Sequence, residues 1–245
     1  MARKHPATTD VWPADLYPVR GVMSVPQVLA HRDGAVLIDT GFPGDARRIR
    51  RTLDRLGLGA RDVRAILLTH GHIDHAGNAA ELKAWTGAPL YAHAAEQPHL
   101  DGVYPYSGAA WVCGALEAVG RAATAYQPVK IDVELRDGDE LPFWGGLNVL
   151  HLPGHTVGHC GFYSARHDLL FSGDLWVRFM MRTQVSPAIF SDAPELRLAS
   201  LRRARAIGAR WMVPGHYDFP DAARLRRRFE ELCEGIERRR TLRVI

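Results

Sequence analysis

The sequence predicts an α/β protein in which two β-sheets pack face to face with helices on the outside. Three observations support this fold class: short apolar runs typical of buried strands, helical stretches between them, and strands followed by helices in each half of the chain. Periodicity alone equally allows a doubly wound sheet. The chain has 245 residues and no linker or low-complexity stretch, so we predict a single domain over 1–245.

The first half of the chain alternates predicted strands with predicted helices. Residues 35–39, AVLID, form a short apolar run that ends at Thr40 and Gly41, which is typical of a buried strand entering a turn. Gly87 follows a helical stretch and is predicted to close it, because glycine adopts the left-handed conformation common at helix ends. The predicted elements are a strand over 35–39, a helix over 45–56, a strand over 63–68, a helix over 78–85, a strand over 90–92 and a helix over 109–123.

From residue 129 onward the pattern favours strands, and helices return toward the C-terminus. Asp137, Gly138 and Asp139 form a predicted turn within this strand-rich stretch. The predicted elements are strands over 147–152, 161–163, 169–172 and 210–213, a helix over 195–207, and a C-terminal helical segment, 221–245, whose helix covers 221–240.

Composition excludes several classes of protein. No run of about 18 apolar residues occurs, and residues 1–10 lack the apolar stretch of a signal peptide. The three cysteines are odd in number and widely spaced, which fits a reduced protein better than a disulfide-bonded secreted one. We therefore predict a cytoplasmic protein with no membrane contact.

The net charge of +4 comes largely from a basic C-terminal segment. Arginines and glutamates are interleaved there, which predicts a solvated helix face with ion pairs four residues apart rather than a nucleic-acid-binding patch. The residues are Arg224, Arg226, Arg227, Arg228, Arg238, Arg239 and Arg240, with Glu230, Glu231, Glu234 and Glu237.

A cluster of possible metal ligands lies where a predicted buried strand ends and a helix begins. The segment HGHIDH contains His70, His72, Asp74 and His75 within six residues. In an extended segment His70 and His72 project to the same side, and the turn into the helix can bring Asp74 and His75 to a neighbouring position. One short loop can therefore serve two adjacent metals.

The ligand types indicate a catalytic metal site. Imidazole nitrogen and carboxylate oxygen suit Zn²⁺, and also Fe or Mn, and the loop contains no cysteine for a structural thiolate site. Buried together without a cation, these polar groups would need other partners. The isolated histidines are instead expected to be ordinary surface or core residues; they are His5, His31, His93, His99, His151 and His167.

Four further motifs accompany HGHIDH in the same order as the metal motifs of a known family. They are LIDTG at 37–41, PGHTVGH at 153–159, SGDL at 172–175 and PGH at 214–216. Each falls at the end of a predicted strand, and together they cover most of the chain. On these residues the chain resembles the metallo-β-lactamase superfamily.

This resemblance implies a four-layer αββα sandwich, two mixed β-sheets flanked by helices, with the site at one edge of the sheets. It also implies two divalent metal ions, with zinc preferred. One ion would be held by His70, His72 and His155, the other by Asp74, His75 and His216, and Asp174 would bridge them.

The resemblance gives supporting roles to two further residues. Asp39 would lie behind a ligand and orient it or its loop, because metal-bound imidazoles commonly donate to a carboxylate. His159 would support the loop around His155 or have a buried structural role. We assign catalytic roles to Asp74 and Asp174.

The implied reaction is hydrolysis of a small molecule. Two metals about 3.5 to 4 Å apart can share a hydroxide that attacks the substrate, so no serine or cysteine nucleophile is needed. We expect an ester, thioester, lactone or lactam-type bond. A glutathione thioester fits less well, because LWVRFMMR after Asp174 differs from the glyoxalase II continuation and no C-terminal helical domain is evident; the absence of a tyrosine near Val177 argues against a lactonase.

Two segments, 94–126 and 176–192, are predicted to form the substrate pocket. Their aromatic and methionine side chains would contact the substrate or, as such side chains more often do, pack in the core; Arg178 and Arg182 could meet an anionic group. The predicted pocket residues are Tyr104, Tyr106 and Trp111 in the first segment and Trp176, Phe179, Met180 and Met181 in the second.

Other functions remain open at this point. A persulfide-dioxygenase-like sulfur oxygenase would hold one Fe(II) with His70, His155 and Asp174, and a nucleic-acid phosphodiesterase or a nucleic-acid-binding C-terminus ranks lower. The oligomeric state is left open, with a homodimer as one alternative.

Overall fold

The computed structural model describes residues 12–104, 106–124, 126–179, 182–218 and 221–241. Residues 1–10, Met180 and Met181 lie outside them, as does the side chain of Phe179. The strands in the described residues are β1 Leu16–Pro18, β2 Gln27–His31, β3 Gly34–Ile38, β4 Val63–Leu67, β5 Leu90–His93, β6 Val133–Leu135, β7 Glu140–Leu141, β8 Leu147–His151, β9 Cys160–Ser164, β10 Leu169–Gly173, β11 Trp176–Phe179, β12 Arg182–Val185 and β13 Trp211–Pro214.

The helices lie mainly between or after these strands. Gly87 has a φ of 71° and closes a helix in the left-handed conformation, as its position in the sequence predicts. The α-helices are α1 Ala46–Arg55, α2 Ile73–Ala76, α3 Ala79–Thr86, α4 Gln97–Leu100, α5 Trp111–Thr124, α6 Arg197–Ile207 and α7 Ala222–Thr241.

Two mixed sheets form the centre of the protein. The first has the strand order β1-β2-β3-β4-β5-β6, and the second has the order β13-β10-β9-β8-β7. In the first sheet β3, β4, β5 and β6 run parallel, whereas β1 and β2 are antiparallel. Strands β11 and β12 form a separate two-stranded hairpin.

Alternate residues of the central strands bury side chains on both faces of each sheet. In β3, Val36 and Ile38 point into the core between the sheets, whereas Leu37 points toward the helices. In β10, Phe171 joins the core between the sheets and Leu170 packs on the outer side. Strands buried on both faces have almost no polar residue, which explains their continuous apolar runs.

Helices cover the outer faces of both sheets. Ile49 and Leu53 of α1 and Leu82 of α3 pack on the first sheet. Leu201 of α6 and Phe229 of α7 pack on the second. The order of layers is helix, sheet, sheet, helix, so the predicted four-layer αββα sandwich is confirmed and the doubly wound alternative is excluded.

The basic C-terminal helix is amphipathic, with a buried inner face and a solvated outer face. Its inner face carries Leu225, Phe229 and Cys233 in the core. Its outer face has ion pairs four residues apart, with 3.0 Å between Arg226 and Glu230. None of the helices among the described residues is both long and apolar enough to cross a bilayer.

The prediction that Trp176 lines a substrate pocket is wrong. The hairpin formed by β11 and β12 turns this side chain away from solvent, and its ring lies 5.7 Å from that of Phe229. Only 1% of Trp176 is exposed. An aromatic residue directly after a metal-binding motif resembles a pocket residue in sequence, but here it anchors α7 to the second sheet.

We expect Trp176→Ala to lower the free energy of unfolding by about 3 to 5 kcal/mol, because the change leaves a cavity in a packed core. Trp176→Phe should cost less, since most of the packing volume is retained. Urea denaturation followed by circular dichroism measures both. Equal stability of Trp176→Ala and the wild type would contradict the core assignment.

Candidate metal centre

Strand ends bring the predicted ligands to one edge of the sandwich. Strands β10 and β13 are parallel, so Asp174 and His216, which follow them, lie side by side. His155 lies in the loop after β8, and the HGHIDH loop follows β4 in the other sheet. The backbone of Cys160 donates to the carbonyl of Thr69 over 2.8 Å, which joins the loops of the two sheets.

The HGHIDH loop is not wholly extended. His72 is the residue before the four-residue helix α2, which contains Asp74 and His75. His70 and His72 therefore precede the helix, whereas Asp74 and His75 lie in its single turn.

Three imidazoles form the first group of possible ligands. One ring nitrogen from each of His70, His72 and His155 lies within 4.8 Å of the others. The Nε2 atoms of His70 and His155 are 3.1 Å apart. All three residues are buried.

A second group contains Asp74, His75 and His216. Nε2 of His216 lies 3.1 Å from Oδ2 of Asp74, and the Nε2 atoms of His75 and His216 are 3.2 Å apart. Asp74 and His216 are the more accessible members, with 14% and 21% of their side chains exposed. Solvent therefore reaches the centre from their side.

Asp174 lies between the two groups. Its Oδ2 is 3.7 Å from Nε2 of His155 and 3.2 Å from Nε2 of His216. Its Oδ1 is 3.3 Å from Nε2 of His75. This carboxylate is thus placed where a bridging ligand would be.

Hydrogen bonds on the outer side fix four of the five imidazoles. In each case Nδ1 contacts a neighbouring oxygen, so the Nε2 lone pair faces the centre. The contacts are His70 with the Thr69 hydroxyl at 3.0 Å, His75 with Asp39 at 2.9 Å, His155 with the Ser186 hydroxyl at 2.6 Å, and His216 with the Met23 carbonyl at 3.1 Å.

This donor set fits divalent cations. Imidazole nitrogens that face each other at 3.1 and 3.2 Å, with their outer nitrogens already bonded, have lone pairs that need a shared cation or proton. Among the described residues, Oδ1 of Asp174 is buried without a hydrogen-bond partner. A cation beside Asp174 would satisfy its orphaned oxygen.

The histidines of the two groups have pKa values shifted in opposite directions. Burial, and then the nearby imidazoles, hold the pKa of His70 and His155 well below the ordinary value. Burial also lowers the pKa of His75 and His216, but Asp174 and Asp74 outweigh it; the pKa of His75 ends well above its ordinary value and that of His216 rises to about 10. Without a metal, His70 and His155 are therefore neutral, whereas His75 and His216 carry protons that a cation would displace.

The two carboxylates respond in the same way. Burial raises the pKa of Asp174, but His216 and His75 together hold it well below the ordinary value. Burial also raises the pKa of Asp74, and His75 and His216 lower it overall. Both side chains are therefore ionised at neutral pH and could serve as ligands to a cation.

Asp39 and His159 both lie next to the proposed ligands. Asp39 accepts from the Thr69 backbone at 2.8 Å and contacts Nδ1 of His75. His159 contacts the Leu152 carbonyl through Nδ1, and its Nε2 accepts from the Asp174 backbone at 3.0 Å. Burial lowers the pKa of His159 to about 4, so this ring stays neutral and accepts that hydrogen bond.

Sequence reasoning missed one buried carboxylate that holds the ligand loops together. Glu96 is fully buried. It accepts from the Gly71 backbone at 2.7 Å, the Thr156 hydroxyl at 2.6 Å and the Gly158 backbone at 2.8 Å. A lone glutamate has no recognisable spacing, so no sequence pattern indicates this role. Ser186, which contacts His155, was missed for the same reason.

The first predicted pocket segment, 94–126, lines a cavity, whereas none of the described residues of the second segment, 176–192, is among those that line it. Tyr104, Tyr106 and Trp111 line a space of about 470 Å³ together with Glu117 and Arg121. The ring of Tyr106 stacks on that of His72 with centroids 6.2 Å apart, and Glu117 accepts from the Ile73 backbone at 2.7 Å, so the cavity wall adjoins the ligand loop.

In the second predicted pocket segment, Arg178 pairs with Asp218 at 2.8 Å and Arg182 is exposed. Met180, Met181 and the side chain of Phe179 lie outside the described residues.

Comparisons with known proteins agree with this geometry. The family model described as the metallo-beta-lactamase superfamily matches residues 20–216. An uncharacterized protein of Mycobacterium tuberculosis is 33% identical over 222 residues, covering 86% of this chain and 93% of that protein. A hydroxyacylglutathione hydrolase of Bdellovibrio bacteriovorus is 34% identical over 143 residues, covering 58% of this chain and 43% of that protein.

A solved structure has the same fold. It is a metallo-beta-lactamase family protein from Thermus thermophilus, with a TM-score of 0.72 and 27% identity, covering 92% of this chain and 80% of that chain.

We expect Asp39→Asn to weaken zinc binding about 10- to 100-fold, because His75 loses the charged partner of its Nδ1. Titration against a chromophoric chelator measures the affinity. Asp33→Asn is the matched control, since that side chain is 68% exposed and pairs with Arg32. Wild-type affinity in a folded Asp39→Asn protein would show that Asp39 does not support the ligand.

Proposed function

Since the chain belongs to the metallo-beta-lactamase superfamily, we propose that it is a binuclear metallohydrolase that cleaves an ester, thioester, lactone or lactam-type bond of a small molecule. The observation that carries this proposal is the convergence of two ligand groups on the shared carboxylate of Asp174. The proposed ligands are His70, His72 and His155 for one ion and Asp74, His75 and His216 for the other.

The geometry gives the chain's own residues distinct tasks. When bound, two divalent cations activate a water molecule at neutral pH and polarise the scissile carbonyl group. Asp174 holds the two ligand groups in register. Asp74 lies on the accessible side, where its carboxylate can accept a proton from water and return it to the leaving group.

Zinc is the proposed metal, with iron or manganese as alternatives. The donor atoms are imidazole nitrogens and carboxylate oxygens, which all three metals accept. The three cysteines, Cys113, Cys160 and Cys233, are buried and belong to none of the ligand groups found in the described residues.

A thioester is the first substrate class to test. A relative that matches 58% of this chain is named hydroxyacylglutathione hydrolase, although the match covers only 43% of that protein. The segment LWVRFMMR after Asp174 differs from the glyoxalase II continuation, so we propose a thioester whose thiol part is not bound as glutathione is.

The alternative, a sulfur oxygenase with one Fe(II), would leave the second ligand group unused. Asp74, His75 and His216 are nevertheless held together by contacts of 3.1 and 3.2 Å, and His75 and His216 each have an outer partner. This arrangement favours two metals.

We expect elemental analysis of the purified chain to give about two metal equivalents, and His216→Ala to retain about one, because only the second group loses a ligand. Hydrolysis of thioester, lactone, ester and β-lactam substrates should stop on chelation and return when Zn²⁺ is added. His31→Ala, outside both groups, is the control. One iron per chain with oxygen consumption on a persulfide would instead support the oxygenase.

The cavity beside the ligand loop is the proposed site of substrate binding, and a substitution in its wall tests this. Trp111 lines it and is 63% exposed, so Trp111→Ala should raise KM several-fold while kcat stays nearly constant, as expected when contacts to the bound substrate are lost equally in the ground and transition states. Leu116→Ala is the matched control, because that side chain is exposed on the same helix but does not line the cavity. An unchanged KM for Trp111→Ala would place the substrate elsewhere.

A further inference from the structure

A chain of buried polar side chains runs beside the first ligand group. The hydroxyl of Tyr106 donates to Oε2 of Glu117 over 2.6 Å. Nδ1 of His99 lies 3.1 Å from the same hydroxyl oxygen, and Nε2 of His99 lies 3.0 Å from Oδ2 of Asp192. His99 and the side chain of Asp192 are almost fully buried.

The hydrogen-bond directions fix the state of His99. Because the Tyr106 proton goes to Glu117, the hydroxyl oxygen accepts from Nδ1 of His99. The Asp192 carboxylate can only accept, so Nε2 of His99 also donates. His99 therefore carries a proton on both nitrogens and has no lone pair for a metal, although it lies within 4.8 Å of ligand atoms of His72 and Asp192. His99 is a buried core histidine whose two ring nitrogens both have hydrogen-bond partners, as expected of the isolated histidines.

Two buried atoms beside this chain have no hydrogen-bond partner among the described residues. They are Nε2 of His72 and Oδ1 of Asp192. A buried polar group without a partner costs free energy, so such atoms in a folded protein call for an explanation. Nε2 of His72 can donate a hydrogen bond, and Oδ1 of Asp192 can accept one.

We propose that Asp192 is the positioning residue for His72, accepting a hydrogen bond from its Nε2 directly or through one water. Four of the five ligand imidazoles already have an outer partner in Thr69, Asp39, Ser186 or the Met23 carbonyl. Asp192 supplies the missing fifth. A carboxylate in this position keeps the proton on Nε2 and leaves the other ring nitrogen to a metal.

Other contacts hold Asp192 in place for this role. Its backbone N–H donates to the carbonyl of His155 over 2.8 Å, so it is tied to a second member of the same ligand group. Its other oxygen is fixed by His99, whose ring stacks on Tyr104 with centroids 3.7 Å apart. His72 and Asp192 each offer one ligand atom, and these atoms lie within 4.8 Å of each other.

This inference rests on the proposed function in one respect, which is that the first ligand group binds a metal. The first test does not require a bound metal. Nitrogen-15 NMR of the metal-free wild-type chain, labelled at histidine, gives the tautomer of His72. We expect the proton on Nε2, and we expect the Nε2 signal to move in Asp192→Asn. A proton on Nδ1 would overturn the proposal even if Asp192→Asn failed to fold.

The second test is zinc affinity by chelator competition. Asp192→Asn should bind about 10- to 100-fold more weakly at one site while still taking up two equivalents, and Asp192→Glu should recover part of the loss. Asp101→Asn is the matched control, because Asp101 follows α4 directly and pairs with Lys130 at the surface.

Three results would overturn the proposal. Wild-type affinity in Asp192→Asn would mean that Asp192 does not act on His72. Loss of one whole equivalent, with the remaining affinities unchanged, would mean that His72, His99 and Asp192 bind a metal themselves. If Asp192→Glu does not recover zinc affinity and the Nε2 signal of His72 does not move in Asp192→Asn, Asp192 has only a structural role. A wild-type chain that binds no zinc would contradict the proposed function instead, and the tautomer would still judge this inference.

Discussion

Seven ionisable side chains, five imidazoles and two carboxylates, lie together at one edge of the sandwich and are mostly buried. The rest of the structure depends on how the charges and lone pairs of these groups are balanced. Without a cation, two pairs of imidazole nitrogens face each other and Asp174 retains an orphaned oxygen. Groups of this kind stay buried only where partners repay the loss of water. The fold supplies those partners on the outer side of the centre and leaves atoms on the inner side that could bind a cation.

The sandwich explains how distant parts of the sequence meet. Core side chains such as Val36 and Phe171 lock the two sheets together. Parallel strands then carry their following loops to the same edge, and the contact between Cys160 and Thr69 joins the loops of one sheet to those of the other. Ligand geometry is therefore a property of strand register as much as of the loops themselves.

Much of this was predictable from sequence because it depends on short-range patterns. The AVLID run at 35–39 indicates a buried strand, and HGHIDH concentrates its ligands in one loop. Both signals survive in the structure. The division into a single domain over 1–245 stays a prediction.

What could not be predicted depends on single residues without a pattern. Glu96 and Asp192 are isolated acids in segments that resemble pocket walls, yet both contact the ligand loops or their neighbours. Trp176 shows the opposite error, since an aromatic side chain beside a motif was assigned to the pocket although the hairpin buries it against Phe229. Strands β1 and β2 and the hairpin were also missed, because their short mixed runs lack clear alternation.

X-ray absorption spectroscopy of the zinc-loaded chain tests the central claim most directly. The account predicts scattering from nitrogen and oxygen neighbours only, together with a metal–metal distance of about 3.5 to 4 Å. A sulfur neighbour, or zinc ions with no second metal nearby, would contradict it.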